Sequence, residues 1–411
     1  MAFELDADGA RRLDVYFEEV GRALGNRCRR ASFATYAMGL LGSTERKSAE
    51  PIAATAAAEP ATCEPMHHRL LRFLRDSPWS DRDVRRIAAR HAIAAMTVRE
   101  PIRTWIVDDT GFPKQGTHSV GVHRQYTGTT GKVSNCQVAV SLSIATRSAH
   151  VPIDFALYLP EIWMNDPARR QECKIPDELT FKTKHDLALD LMLRAIEDKV
   201  PGDIMLADAA YGCSDYFRET VRVLGFDYAM GILSTTTLVR LDAREQCRGS
   251  PLMVRAIAEE LGPQAFRRIT WREGTRPGPR GKLCSRFAFC RVQVANGKRG
   301  TLAHREPLWL MIEWPEDEKA PTKFSLTTLR RTMSKKEIVR TVKERYRTEQ
   351  VYEEMKGELG LDHFEGRSFP GWNHHVSVAL CCYAFVVGER MRYFPPSARR
   401  RSGPRTHPLA A

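Results

Sequence analysis

Apolar positions near the start of the chain recur at helical spacing. Leu13, Phe17, Val20 and Leu24 fall on one face, and residues 1 to about 43 are read as helix. The stretch AEPIAATAAAEPATCEP (49–65) reads as a linker. Helices are predicted again at 66–76 and 81–96, the second opened by Ser80 with Asp83 three residues on, a capping-box pattern. Arg82, Arg85, Arg86 and Arg90 give this region an Arg-rich face, suited either to a helix-turn-helix or to an ordinary helical domain.

From residue 103 the period shortens. TWIVDD (104–109) is a short apolar run ending in two acids, NCQVAVSLSIAT (135–146) alternates as a half-buried strand does, and VPIDFALYL (151–159) is a third strand. KHDLALDLMLRAIEDKV (184–200) is an amphipathic helix with Leu187, Leu191 and Ala195 on one side. DIMLADAAYG (203–212) is then a strand, SDYFRETVRVLG (214–225) a helix and FDYAMGI (226–232) a strand. Short connections predict antiparallel pairing for the first three strands, and the later alternation predicts parallel additions. That order predicts an α/β fold, an RNase H-like mixed sheet.

Between 233 and 335, FRRITW (266–271), RFAFCRVQV (286–294), LWLMIEW (308–314) and KFSLTT (323–328) read as strands, with a basic loop REGTRPGPRGK at 272–282. GWNHHVSVALCCYAFVVGER (371–390) is a helix with a broad apolar face. The chain is therefore parsed into an N-terminal helical region (1–98) that could bind DNA, a first part of an α/β core (99–232), a β-rich insertion interrupting it (233–335), C-terminal core helices (336–394) and a disordered basic tail (395–411).

Composition narrows the partners. The 411 residues suit two or three domains, and 43% hydrophobic residues suffice for real cores. There is no stretch of 18 uninterrupted apolar residues and no signal-like start, so a cytoplasmic protein without membrane contact is expected. Lys plus Arg number 63 against 50 Asp plus Glu, a net charge of +13. That excess suits a polyanion, though charge alone describes a merely basic soluble protein equally well. The ten cysteines form no CxxC pair, which argues against a zinc ribbon.

The candidate chemistry lies in acids at the ends of strands. Asp109 follows WIVD and Asp208 follows IMLA, and the proposed topology makes the two strands neighbours. Either acid alone is more often a capping or loop carboxylate. A third acid, Glu349, lies in RYRTEQVYEEMK (345–356), where Arg345, Glu349 and Lys356 fall at about 0°, 40° and 20° on a helix. Such spacing also describes a surface ion pair. Two carboxylates from adjacent strands and one from a helix suit a pair of Mg2+ (or Mn2+) ions, with Arg345 and Lys356 holding phosphate. Asp108 competes with Asp109, because alternation lets only one face the metals, and Asp109 is preferred. The small residues AAYG after Asp208 would permit close approach of a ligand. The following Gly-rich loop carries Lys114, His118, His123, Arg124, Tyr126 and Lys132, a candidate track for a DNA backbone; without the acids it would read as a plain hairpin.

Three segments, DDTGFPKQGTHSVGVHRQYTGTTGKVSNCQVAV (108–140), LADAAYG (206–212) and RYRTEQVYEEMKGELGLDHFEGRSFPGW (345–372), together resemble DDE transposases of bacterial insertion sequences. The likeness is to the insertion sequence four superfamily, seven-hundred-and-one branch. ERKSAEP (45–51) and DSPW (76–79) extend it over nearly the whole chain. That superfamily carries Tyr, two residues, Arg, three residues, Glu, six residues, Lys. Arg345, Glu349 and Lys356 match, whereas Val342 stands at the Tyr position, leaving Tyr346 or Tyr352 as the substitute hydroxyl.

The resemblance implies a metal-binding triad of Asp109, Asp208 and Glu349. It also offers Trp271 or Trp314 of the insertion to hold a flipped base, although packing is the commoner role for such residues. It further implies a transposase that binds terminal inverted repeats of double-stranded DNA and cleaves the ends by metal-dependent hydrolysis. The freed 3′-OH is then joined to target DNA by strand transfer, cut-and-paste, within a homodimer. Two rivals are a transposase-derived DNA-binding regulator, which has no need of three acids, and a metal-dependent nuclease that never integrates.

Overall fold

The computed structural model describes residues 6–272, 282–295 and 306–393. The basic loop (273–281) and the tail (395–411) lie outside them. Five helices precede the first strand: α1 (Ala7–Leu24), α2 (Arg27–Leu41), α3 (Ala49–Ala56), α4 (Pro60–Arg75) and α5 (Asp81–Thr97). Asp6, Asn26 and Ser80 cap α1, α2 and α5, their side chains accepting from Gly9, Arg29 and Asp83 N–H. The stretch read as a linker is thus largely helix. Two of its three prolines mislead, because Pro51 and Pro60 sit in first turns, where a missing N–H costs little, while Pro65 is carried inside α4. α3 is held by Ala49, Ile52 and Ala53, with Ile52 lying where a Cβ on Gly39 of α2 would be only 2.5 Å away.

The core sheet contains β1 (Thr104–Pro113), β2 (His123–Thr127), β3 (Lys132–Ala145), β4 (His150–Leu157), β5 (Ile204–Ala207) and β6 (Asp227–Ile232). β3 pairs antiparallel with β1, β2 and β4, while β5 pairs parallel with β1 and with β6. Two short helices, α6 (Glu161–Met164) and α7 (Pro167–Glu172), lead to the crossover helix α8 (Lys184–Glu197). α9 (Ala209–Gly212) and α10 (Asp215–Val223) join β5 to β6. The expected mixed α/β sheet is present. β2 is an addition, formed where the Gly-rich loop finds a ladder on β3 despite lacking alternation of its own.

The strand-rich segment continues the same sheet. It comprises β7 (Thr237–Leu241), β8 (Cys247–Met253), α11 (Val254–Leu261), β9 (Arg267–Arg272), β10 (Leu283–Val294), β11 (Leu308–Trp314) and β12 (Lys323–Thr327). β12 pairs antiparallel with β6, so the strands run in the order β2-β3-β1-β5-β6-β12-β11-β10-β7-β8, with β4 on β3 and β9 on β10. Then come α12 (Lys335–Val342), a 3-10 turn at Lys343–Arg347, α13 (Thr348–Leu359) and α14 (Phe369–Tyr393).

α14, 25 residues long, is buried nearly all round, as an apolar helix without a polar face must be. α1, α2, α4 and α5 pack around it, and β4 and α13 close the other side. The Arg-rich face of α5 is consequently turned inward. Arg85 donates to Asp154 Oδ1 at 2.7 Å, to Ser377 Oγ at 2.8 Å and to the Phe155 carbonyl at 2.6 Å. Arg82 pairs with Glu197, and Arg86 donates to Asp198 at 2.8 Å. Three of the four arginines that suggested a DNA-reading face therefore tie α5 to the sheet and α8, and Arg90 alone is exposed.

Candidate active site

β1 and β5 run parallel with Ile106 opposite Leu206. Carrying both strands forward two residues brings Asp108 and Asp208 to one level on one face, the face covered by α12. Arg345 Nη2 donates to Asp108 Oδ2 at 2.7 Å and stands 3.8 Å from Asp208 Oδ2. Asp208 caps α9, accepting from Ala210 N–H at 2.9 Å and Tyr211 N–H at 3.4 Å. Asp109 points the other way and pairs with Lys184 at the start of α8. Asp108, rather than the Asp109 preferred from the sequence, therefore shares this face with Asp208 and Arg345. Asp108 is 3% exposed, and its carboxyl is pushed up to about 7. Burial is the main cause; Arg345 opposes it, and the charges of Asp208 and Asp109 add to it.

The expected stripe of Arg345, Glu349 and Lys356 is broken by the 3-10 turn, which carries Arg345 on its own short element. Within α13, Glu349, Tyr352 and Lys356 do share a face. Tyr352 and Ser141 share a 2.6 Å hydrogen bond between their hydroxyls. Lys356 Nζ donates to Thr110 Oγ1 at 2.8 Å, to the Gly111 carbonyl at 2.7 Å and to Thr129 Oγ1 at 3.2 Å. Glu349 is exposed and, among the described residues, makes no hydrogen bond or ion pair. No group of three acids, histidines or cysteines stands close enough to hold a metal ion among those residues. Arg345 thus meets both aspartates, Lys356 is anchored on β1, and Glu349 touches neither aspartate.

The remaining candidates separate clearly. Lys114 Nζ is turned inward and donates to the carbonyls of Phe364 at 2.7 Å and Asp362 at 3.3 Å, and burial lowers its pKa. It is a structural cation. His123, Arg124 and Lys132 are exposed on the β2–β3 hairpin, beside the Lys356–Thr129 contact. Trp271 packs edge-on against Tyr346, ring centroids 5.2 Å apart, and its Nε1 is buried without a partner. Both line a cavity of about 280 Å³ with Arg272, Arg340, Lys343 and Arg347. Trp314 instead donates to the Glu318 carbonyl at 2.8 Å and lies under Arg286, 3.8 Å from its ring centroid. Tyr352 shares its hydroxyl with Ser141, and the Tyr346 hydroxyl accepts from Arg347 Nε at 3.2 Å.

The small residues after Asp208 serve the fold: a Cβ on Gly212 would lie 2.0 Å from the Gly231 carbonyl of β6. Lys184 and Thr129 were missed by the sequence reading, since neither belongs to a pattern and both reach the site only across the fold.

Comparison with known proteins decides the family. Residues 19–278 match the model of the DDE superfamily endonucleases, and residues 179–385 match that of the transposase DDE domain. The chain belongs to the DDE transposases. It is similar to a probable transposase for insertion sequence element IS701 of Microchaete diplosiphon, 24% identical over 318 residues, covering 77% of this chain and 72% of that one. Membership makes the transposase an enzyme acting on DNA with a divalent metal. The donors present fit such an ion. Asp108 and Asp208 offer only oxygen, which hard cations prefer, and one guanidinium does not balance two carboxylates. No helix among the described residues is long and apolar enough to cross a membrane.

Proposed function

We propose that this transposase binds the terminal inverted repeats of its element, hydrolyses a phosphodiester at each end and joins the freed 3′-OH to target DNA, cut-and-paste. Asp108 and Asp208, with Glu349 from α13, would hold two Mg2+ (or Mn2+) ions. Bound metal supplies a Lewis acid and an activated water. Arg345 and Lys356 hold the phosphates flanking the scissile bond, Arg345 by its fork. His123, Arg124 and Lys132 follow the backbone on the β2–β3 hairpin. Trp271, which with Tyr346 lines a cationic cavity, is the candidate to stack a displaced base; its ring faces Lys343 at 4.8 Å, a looser cover than Arg286 at 3.8 Å gives Trp314. Two ends are brought together by a homodimer, and the DNA substrate places the enzyme on the nucleoid.

One observation carries the reading: an aspartate on β1 and one just past the end of the adjacent parallel β5 share one guanidinium. A labelled element end incubated with Mg2+ tests it. Asp108→Ala, Asp208→Ala and Glu349→Ala should each lose cleavage and joining while retaining binding. Binding without cleavage in the unaltered protein would mark a regulator. Cleavage without joining would mark a nuclease.

A further inference from the structure

Arg345 occupies the position between Asp108 and Asp208 that any cation serving both would take. Its Nη2 lies 2.7 Å from one carboxylate and 3.8 Å from the other, and its Nε is buried without a partner. The hold is one-handed, since the paired N–H groups of the fork are not both used. Nearby cations are committed elsewhere: Lys184 to Asp109, Lys356 to Thr110 and Gly111, Lys343 to Glu313 at 2.6 Å. Among the described residues Arg345 alone meets both Asp108 and Asp208, and it does so from a 3-10 turn between two α-helices, an arrangement that often marks a hinge.

We infer that Arg345 is a resident counter-cation: it neutralises Asp108 and Asp208 in the free enzyme, and a divalent metal binds there only as the guanidinium lets go. A phosphodiester is the natural acceptor of the released fork, since it matches guanidinium geometry bidentately. Metal and DNA then favour each other through one side chain, by linkage. Metal loading is held back until a phosphate arrives, which limits hydrolysis away from the element end. This inference rests on the proposed binding of metal by Asp108 and Asp208.

Mn2+ titration by calorimetry, on the full chain without DNA, tests it. Arg345→Gln should bind Mn2+ at least about tenfold more tightly than the unaltered protein, the equivalent of one charged hydrogen bond removed from competition. Without metal, Arg345→Gln should melt at lower temperature, and Mn2+ should restore more of its Tm than it adds to the unaltered protein. A 20-base-pair duplex should tighten Mn2+ binding in the unaltered protein and leave Arg345→Gln unchanged. Should Arg345→Gln not fold, Arg345→Lys, which keeps charge but loses the fork, should show an intermediate gain. Equal or weaker Mn2+ binding by both Arg345 variants, with Asp108→Asn still abolishing it, overturns the counter-cation and leaves the metal reading standing. Undiminished Mn2+ binding by Asp108→Asn and Asp208→Asn overturns the metal reading itself.

Discussion

Two adjacent carboxylates on β1 have different cations, Arg345 for Asp108 and Lys184 for Asp109. Asp108→Asn should therefore cost cleavage by about 10²–10³-fold or more, the scale of losing a preorganised charge at the reacting centre. Asp109→Asn should cost under about tenfold, because it removes a partner of Lys184 and leaves the facing pair intact. Single-turnover cleavage of an element end measures both, and an equally inactive Asp109→Asn would return the role to that residue. Basic residues divide in the same manner. Arg124→Ala and Lys132→Ala should each reduce the slope of log affinity against log salt by about one. Lys114→Met should leave that slope alone and lower the melting temperature, since its charge satisfies two carbonyls inside the protein.

At the scale of elements, the turn and helix carrying Arg345 and Glu349 lie on polar contacts with the sheet. Thr104 donates to Glu344 at 2.5 Å, Ser141 meets Tyr352, and Thr110 meets Lys356. Burial pushes the Glu344 carboxyl from 4.5 up to about 7. The folded state then binds this proton more tightly than the unfolded chain. Its contribution to stability is complete below pH ~4.5 and is lost as pH rises through ~7. Glu344→Gln, which does not ionise, should match the unaltered protein at pH 4 and exceed it by about 2–3 kcal/mol at pH 8. Urea unfolding of the metal-free protein at the two pH values reads this directly, and a mutant equally or less stable at pH 8 would refute it.

At the scale of the whole molecule, α14 joins the N-terminal helices to the catalytic sheet. Its flanks are covered by α1, α2, α4 and α5, and Arg85 inserts between Asp154 of β4 and Ser377 of α14. Removing residues 1–98 would expose this apolar helix and leave Asp154 without its principal partner. Such a truncated chain should fail to accumulate in soluble form; a soluble, cooperatively unfolding piece would show that the helices are dispensable. Arg85→Met should cost about 1–3 kcal/mol, because it strips the buried hydrogen bonds to Ser377 and the Phe155 carbonyl and leaves Asp154 with Arg194 at 3.5 Å as its cation, as read by chemical denaturation of the full chain.

The order of β1, β3, β4, α8, β5, α10 and β6 and the position of Asp208 were legible from the residues, because periodicity and strand-end acids are local signals; β2, β7 and β8, which lack that periodicity, were not. Family resemblance rested on contiguous segments and was equally accessible. What the sequence could not supply was which acid faces which partner. TWIVDD is covered on both faces of the sheet, so it offers no alternation to read, and only its register against β5 turns Asp108 toward Asp208. Lys114 and the arginines of α5 looked like DNA contacts because charge normally seeks solvent. Their partners are backbone carbonyls and acids brought near by folding, tens to hundreds of residues away in the chain. The sequence by itself determined most elements of the core and the family; tertiary structure alone decided the pairings, because those depend on contacts between segments that no local pattern encodes.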